Sequence, residues 1–258
     1  MVGKRDIFDR VRDSDSIQRG VSLIFNRRFQ SGKKNGSVEL PYRLYLPNCY
    51  NKHDEKRYPI VLTFHGAGKR GRDNRRQIYS SAVFFSSNRV QRREPCFVLA
   101  PQCPPGNSWV NLKSWSEGTH PLREITPALQ TSIQLLDDLL DEYRIDRGRQ
   151  FVTGFSMGGY GTWDAITRFP NRFEAAIPIS GGGTPGAADR LDRVKVWAFH
   201  GAEDDTVPVS GTRRMIEAMR NEGLDPRYTE FEALGHSSRP VFRQEGLIEW
   251  LFDPNTGE

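Results

Sequence analysis

The sequence contains no apolar segment long enough to cross a membrane as a helix, which needs about 20 consecutive apolar residues. Its first six residues include Lys4, Arg5 and Asp6 and lack the apolar centre of a secretion signal. We therefore expect no membrane partner and, for the chain as written, a cytoplasmic protein. A secreted protein from which a signal peptide had been removed would look the same.

Cysteine is scarce, and the three residues are Cys49, Cys96 and Cys103. An odd number leaves at least one thiol unpaired. Cys96 and Cys103 flank the apolar run at residues 97–100, and a strand across that run would separate their Cα atoms by about 20 Å. A disulfide needs a Cα separation below about 7 Å. We therefore expect free thiols with no part in the chemistry.

Acidic residues are outnumbered by basic ones, 32 to 37, which gives a formal net charge of +5. Arginine dominates one basic segment, residues 69–93. Aromatic residues are not interleaved with these arginines and no nucleic-acid-binding motif occurs, so we expect no nucleic-acid partner. A solvated helix face is the favoured interpretation of the segment. The alternative is that part of it attracts acidic ligands.

Short apolar or alternating segments typical of β-strands recur along the chain, with helical spacings between the later ones. The predicted strands are residues 21–29, 40–46, 59–64, 97–100, 149–153, 175–180, 194–201 and 228–234. The predicted helices are a basic stretch after the third strand and residues 125–143, 162–167, 210–220 and 241–252. The first two strands favour an antiparallel pair joined through residues 32–36. The later alternation predicts an α/β protein with a mostly parallel, doubly wound sheet and helices on both faces.

One predicted strand ends in a serine flanked by glycines. Gly154-Phe155-Ser156-Met157-Gly158 follows residues 149–153 and precedes the helical segment at 162–167. A turn this tight strains the serine backbone and leaves room only for small residues two positions on either side, which Gly154 and Gly158 provide. The pattern predicts that Ser156 is a nucleophile above a helix N-terminus, where backbone N–H groups favour developing negative charge.

An acid and a histidine follow at the ends of two later strands. Asp204 comes after the strand at 194–201, and His236 comes after the strand at 228–234. The order serine, acid, histidine is that of the α/β-hydrolase triad. It predicts that His236 is the general base and that Asp204 orients it. Asp205 is the alternative acid.

The third predicted strand ends in His65-Gly66-Ala67-Gly68. In this fold the loop after that strand and the residue after the nucleophile each donate a backbone N–H to the oxyanion. We therefore expect the oxyanion hole to consist of Ala67, with Gly68 as the alternative, and Met157. His65 is expected to brace this loop rather than to act as a base, and the same is expected of His200, which also precedes a glycine at a strand end.

These motifs resemble those of the α/β-hydrolase esterases related to polyhydroxybutyrate depolymerases, feruloyl esterases and dienelactone hydrolases, often labelled predicted peptidases. The resemblance covers about residues 40–250 and includes the runs Asp73-Asn74, Pro101-Gln102-Cys103-Pro104 and Ile179-Ser180-Gly181-Gly182-Gly183. It implies an α/β-hydrolase fold and a serine carboxylesterase that uses Ser156, His236 and Asp204 without a metal or cofactor. Asp204 keeps the family's spacing from His200-Gly201, which favours it over Asp205.

No repeat, low-complexity tract or long linker divides the chain. We therefore expect an N-terminal extension at residues 1–20 followed by a single α/β-hydrolase catalytic domain at residues 21–258. A chain of this length buries about 70–75% of its unfolded surface in one core.

The substrate is predicted less sharply than the chemistry. Residues 104–124 have no helical or strand period and carry Trp109, whose position in the resembled family lies near the site. We expect Gly68 and Trp109 to contact the substrate, with ordinary packing as the alternative for Trp109. The lack of a long apolar lid favours short-chain or aromatic acyl esters, either small molecules or esters linked to carbohydrate.

Two other functions remain open at this point. The fold and the triad do not choose between ester and amide substrates, so a serine peptidase acting on short peptides is one alternative. A noncatalytic hydrolase-fold binding protein is the other.

Overall fold

Eight strands form one sheet in the part of the chain that the computed structural model describes, which is residues 24–29, 38–112 and 115–253. For residues 24–29 and residue 115 only the backbone is described. The strands are β1 (Ile24–Phe29), β2 (Leu40–Tyr45), β3 (Tyr58–Phe64), β4 (Phe97–Pro101), β5 (Ile145–Phe155), β6 (Ala175–Ile179), β7 (Lys195–Gly201) and β8 (Arg227–Phe231). Their order across the sheet is β1-β2-β4-β3-β5-β6-β7-β8.

Strand direction follows the predicted pattern. β2 is antiparallel to both of its neighbours, β1 and β4, whereas all other neighbouring strands are parallel. The mostly parallel sheet with a leading antiparallel pair is therefore confirmed. The predicted connection at residues 32–36 and the N-terminal extension lie outside the described residues.

Helices cover both faces of the sheet because its central strands are apolar on both sides. Every residue of β3 is buried. Ile60 and Leu62 pack into one apolar cluster and Val61 into a second on the opposite face, as expected where successive side chains alternate. The helices are α1 (Ser81–Phe85), α2 (Asn88–Gln91), α3 (Pro127–Glu142), α4 (Met157–Arg168), α5 (Ser210–Asn221) and α6 (Leu247–Phe252). The first cluster contains residues of α3, α4 and α5, and the second contains residues of α1, α2 and α6.

Helix α3 begins two residues later than predicted because Thr126 caps it. The Thr126 Oγ1 accepts a hydrogen bond from the Leu129 N–H at 3.2 Å, and Pro127 occupies the first helical turn, where its missing N–H costs nothing. The same hydroxyl donates to the Trp109 carbonyl at 3.0 Å. The cap therefore anchors the long loop at residues 104–124 as well as the helix.

Other boundaries also differ from the predictions. β5 begins at Ile145, four residues early, because Ile145 pairs with Tyr58 before an irregularity in register. The predicted helix at 241–252 is broken into a short turn, Val241–Arg243, and α6. Gly246 separates them with φ of 74°, a conformation that suits glycine. Among the described residues, none of the helices has the length and apolar character that a membrane crossing requires.

The expectation of free thiols is confirmed. Cys49 is exposed, Cys96 and Cys103 are buried, and none forms a disulfide. Burial raises the pKa of both buried thiols to about 12. Neither buried cysteine therefore supplies a thiolate at neutral pH.

Candidate active site

Ser156 occupies the one-residue turn between β5 and α4. Its backbone has φ of 60° and ψ of −121°, a strained conformation for a residue other than glycine that costs about 1–3 kcal/mol. A methyl group at Gly154 would lie 2.3 Å from the Gly158 carbonyl oxygen, and one at Gly158 would lie 2.0 Å from the Phe64 carbonyl oxygen. Both glycines are therefore required by backbone contacts that hold the turn against β3.

We expect Gly158→Ala to destabilise the protein because β3 and α4 must separate to admit the added methyl group. The loss should reach or exceed the upper end of the range of about 1–3 kcal/mol typical of overpacking. The midpoint of urea unfolding would measure it. Gly186→Ala is the matched control, since a methyl group there meets no atom within 4 Å. Equal stability of the two variants would show that the turn does not need this space.

His236 and Asp204 complete a hydrogen-bonded chain with this serine. The Ser156 hydroxyl lies 2.9 Å from His236 Nε2, and His236 Nδ1 lies 2.7 Å from Asp204 Oδ2. Because a carboxylate only accepts, Nδ1 carries the proton and Nε2 presents its lone pair to the serine. The His236 side chain is 19% exposed and that of Asp204 is 0% exposed. The ring of Phe155 packs against the His236 imidazole with centroids 4.6 Å apart.

The geometry distinguishes Asp204 from Asp205. Asp204 Oδ1 accepts from the N–H groups of Thr206 at 3.0 Å and Val207 at 2.8 Å, while Oδ2 faces the histidine. Asp205 is exposed, and its carboxylate accepts from the Thr206 hydroxyl instead. Of these two carboxylates, Asp204 is the one that contacts His236 in the described structure.

Burial and hydrogen bonding act in opposite directions on Asp204. Burial raises the pKa of its carboxyl group, but donors from His200, His236 and the Val207 N–H outweigh burial and hold that pKa well below its usual range. Asp204 is therefore an anion at neutral pH. An anion at this position stabilises the positive charge that His236 acquires when it removes a proton.

The predicted oxyanion donors lie on turns beside Ser156. Ala67 begins a short helical turn, Ala67–Lys69, directly after β3. A methyl group at Gly66 would lie 3.5 Å from the Ser156 Cβ, so this turn passes close to the serine. Met157 is the first residue of α4, where a backbone N–H has no acceptor within the helix. Gly68 is exposed, and a methyl group there meets nothing within 4 Å.

His65 supports the turn Ala67–Lys69, called the oxyanion turn below, through two hydrogen bonds. Its Nδ1–H donates to the Gly66 carbonyl at 2.8 Å, and its Nε2 accepts from the Cys103 N–H at 2.9 Å. Burial, opposed by the hydrogen bond to Gly66, lowers the pKa of His65 to about 4. The imidazole is therefore neutral and links the turn to the loop after β4, which agrees with the predicted bracing role.

The expectation that Trp109 contacts the substrate is wrong. Its side chain is 0% exposed, and the indole N–H donates to the His65 carbonyl at 3.0 Å. The ring packs against Phe64, with centroids 4.8 Å apart, and Gly161 leaves room for its Cβ. Trp109 is therefore a core residue, and it supports the oxyanion turn through its hydrogen bond to His65.

The sequence interpretation missed two residues that contact the site. In the sequence Phe155 is one residue of the glycine-flanked serine motif, and in the structure it stands next to the base. The sequence predicts that His200 braces a loop, yet its Nε2 lies 3.3 Å from Asp204 Oδ2. The spacing of four residues between His200 and Asp204 is the feature of the sequence that indicates a contact between them. Within the described residues, no three His, Cys, Asp or Glu side chains converge into a metal-binding cluster.

The chain is similar to proteins that are described as esterases and depolymerases. The sequence profile of the phospholipase/carboxylesterase family matches residues 49–245. The chain is similar to poly(3-hydroxyalkanoate) depolymerase C of Paucimonas lemoignei, with 25% identity over 218 residues that cover 72% of this chain and 50% of the relative. It is also similar to feruloyl esterase D of Neurospora crassa, with 31% identity over 123 residues that cover 45% of this chain and 42% of the relative.

A solved structure described as a thermostable esterase is similar in fold and sequence. It superposes with a TM-score of 0.79 and 39% identity, covering 88% of this chain and 62% of that one. The chain spans half or less of the length of the two curated relatives above.

Proposed function

The chain belongs to the phospholipase/carboxylesterase family of α/β-hydrolases, and we propose that it is a serine carboxylesterase acting through an acyl-enzyme. The observation that carries the proposal is the continuous hydrogen-bonded chain from Ser156 through His236 to Asp204, with distances of 2.9 and 2.7 Å. Ser156 and His236 are both partly exposed, so a substrate has access to the serine. This access favours catalysis over a binding role with an occluded site.

In the first half-reaction, Ser156 Oγ attacks the ester carbonyl while His236 Nε2 accepts the hydroxyl proton. The tetrahedral oxyanion is bound by the N–H groups of Ala67 and Met157, each worth about 3–4 kcal/mol by analogy with donor deletions in other enzymes. Collapse of this intermediate breaks the bond to the alcohol, which leaves with the proton from His236. Asp204 holds the tautomer and stabilises the imidazolium throughout.

In the second half-reaction, water takes the place of the alcohol. His236 removes a proton from the water as it attacks the acyl-serine carbonyl, and the same donors bind the second oxyanion. Collapse returns the proton to Ser156 Oγ and releases the carboxylic acid. The residues end in their starting protonation states, so the enzyme is ready for the next substrate.

One exposed aromatic side chain near the site supports the proposal that aromatic esters are among the substrates. Tyr79 is 45% exposed and is the one exposed large apolar side chain in the described part of the chain. The Lys69 ammonium lies 4.5 Å from its ring centroid, and Lys69 ends the oxyanion turn. The neighbouring Ser80 hydroxyl contacts Ser238, close to His236, at 2.7 Å. An exposed aromatic ring beside these two contacts suits stacking against an aryl group or a sugar.

We expect hydrolysis of small esters to follow this geometry. The kcat/KM for p-nitrophenyl acetate or butyrate should exceed that for the octanoate by at least about tenfold, since even one acyl methylene that a pocket does not fit costs about 1–3 kcal/mol. Methyl ferulate should also be hydrolysed. A spectrophotometric panel of these esters, together with a peptide anilide, provides the measurement.

Each other outcome of the panel has a distinct meaning. Turnover confined to the anilide would contradict the esterase proposal in favour of a peptidase. A folded protein that hydrolyses none of the panel and resists a serine-reactive phosphonate would contradict the catalytic role of Ser156.

A further inference from the structure

Asp204 contacts a second histidine that the reaction described above does not use. His200 is the next-to-last residue of β7, and its side chain is fully buried. Its Nε2 lies 3.3 Å from Asp204 Oδ2 and 3.0 Å from the Val207 carbonyl oxygen. The same Oδ2 accepts from His236, so one carboxylate oxygen faces both imidazoles.

The partners of His200 fix the position of one proton. A carbonyl oxygen and a carboxylate can only accept, so Nε2 must carry a hydrogen. On the other side of the ring, Nδ1 lies 2.7 Å from Thr212 Oγ1, whose hydroxyl donates its hydrogen to the Gly181 carbonyl. The Nε2–H is therefore present whether the ring is neutral or charged, and it is shared between Asp204 and the Val207 carbonyl.

This single donor organises the whole turn that carries the acid. The Val207 N–H binds Asp204 Oδ1 at 2.8 Å, while the Val207 carbonyl and Asp204 Oδ2 both face the Nε2–H of His200. The two ends of the turn are thus held to one buried ring. Without the ring, the carbonyl and one carboxylate oxygen would each lose a donor.

His200 also connects the acid to the helix that carries the nucleophile. Thr212 Oγ1 lies 2.7 Å from the Gly181 carbonyl oxygen. Gly181 packs directly on α4, since a methyl group there would lie 2.5 Å from the Tyr160 nitrogen. A chain of contacts therefore runs from α4 through Gly181, Thr212 and His200 to Asp204, which bonds to His236.

From these contacts we infer that His200 is a positioning residue for the catalytic acid: its Nε2–H orients the Asp204 carboxylate toward His236. The inference rests on the proposed triad. It concerns the placement of Asp204 and not proton transfer, because the polar partners of the His200 ring among the described residues are Asp204, Val207 and Thr212 rather than Ser156. Loss of such an outer partner should lower kcat, since the base is oriented less well, and leave KM nearly unchanged.

Two amide substitutions of similar size distinguish the loss of the Nε2–H donor from the loss of side-chain volume. In His200→Gln the side-chain amide can place an N–H where Nε2–H stands, whereas in His200→Asn the shorter amide reaches only the Nδ1 position. We expect His200→Asn to lower kcat by about 10- to 100-fold, as loss of outer partners does elsewhere, with KM within about twofold. His200→Gln should recover most of that loss. Equal losses in kcat for the two variants would overturn the inference.

A measurement on the unmodified protein tests the proton itself. Long-range ¹H–¹⁵N correlation spectra of ¹⁵N-labelled wild-type protein distinguish a protonated from an unprotonated Nε2. The inference requires a proton on Nε2 of His200, and an unprotonated Nε2 would overturn it even if neither variant folds. A wild-type protein without ester turnover would contradict the proposed esterase function instead, while the spectra would still report the His200 bond.

Discussion

Ser156→Ala is expected to reduce kcat for p-nitrophenyl butyrate by about 10⁴-fold or more, because the acyl-enzyme forms on the hydroxyl that His236 activates. The protein should remain folded. The alanine side chain is smaller than serine and keeps the same Cβ, and the serine hydroxyl contacts only His236 among the described residues. Steady-state turnover and stoichiometric labelling with a phosphonate would measure the loss.

Ser180→Ala is the matched control for this experiment. Ser180 follows the neighbouring strand β6, is buried, and also has a positive φ of 47°. Its hydroxyl has no hydrogen-bond partner among the described residues, so its removal should change kcat by less than about threefold, as removing an unpaired group does. If Ser156→Ala retained near-normal turnover, or if labelling persisted in it, Ser156 would not be the nucleophile.

Asp204→Asn is expected to reduce kcat by about 10⁴-fold, by analogy with the same change in another serine hydrolase. The asparagine amide would donate a hydrogen bond to His236 Nδ1. That favours the tautomer with the proton on Nε2, which cannot accept a proton from Ser156. KM should change much less than kcat, because Asp204 is buried behind His236 and does not face a substrate.

Asp205→Asn is the control, with a change in kcat of less than about threefold expected for an exposed side chain outside the hydrogen-bonded chain. A larger effect at Asp205 than at Asp204 would contradict the observed geometry.

Stability gives a second readout for the acid. The folded-state pKa of Asp204 is depressed, so its ionised form stabilises the folded protein above the unfolded-state value of about 3.9. That contribution is lost as the pH falls toward the folded-state value. The difference in free energy of unfolding between wild type and Asp204→Asn should therefore be constant near neutral pH and shrink below about pH 4.

The regular elements were predictable wherever local pattern and burial agree. β3 was recognised because a strand buried on both faces is apolar at every position. The start of β5 was missed because Ile145 is followed by polar residues, and its pairing with Tyr58 is a contact between distant parts of the chain. The sequence does not predict the break in the last helix, because the apolar residues on either side of Gly246 keep a helical spacing.

Trp109 shows the limit of position-based reasoning about a site. A large aromatic side chain on a long loop near strand ends fits a pocket wall or a core equally well. The choice depended on whether Phe64 and Gly161 left a space of the right shape behind His65, and they do.

The sequence alone shows a serine, an acid and a histidine at the ends of successive predicted strands. The glycines around the serine are informative because a tight strand–helix turn admits only small neighbours there. The sequence also indicated that this serine, an acid and His236 meet, because the carboxyl ends of parallel strands lie at one edge of a sheet. The folded structure was needed to see which of Asp204 and Asp205 contacts His236, that Trp109 is buried, and that His200 contacts the acid. Those outcomes depend on ångström-scale distances between distant segments, which packing sets and no local pattern encodes.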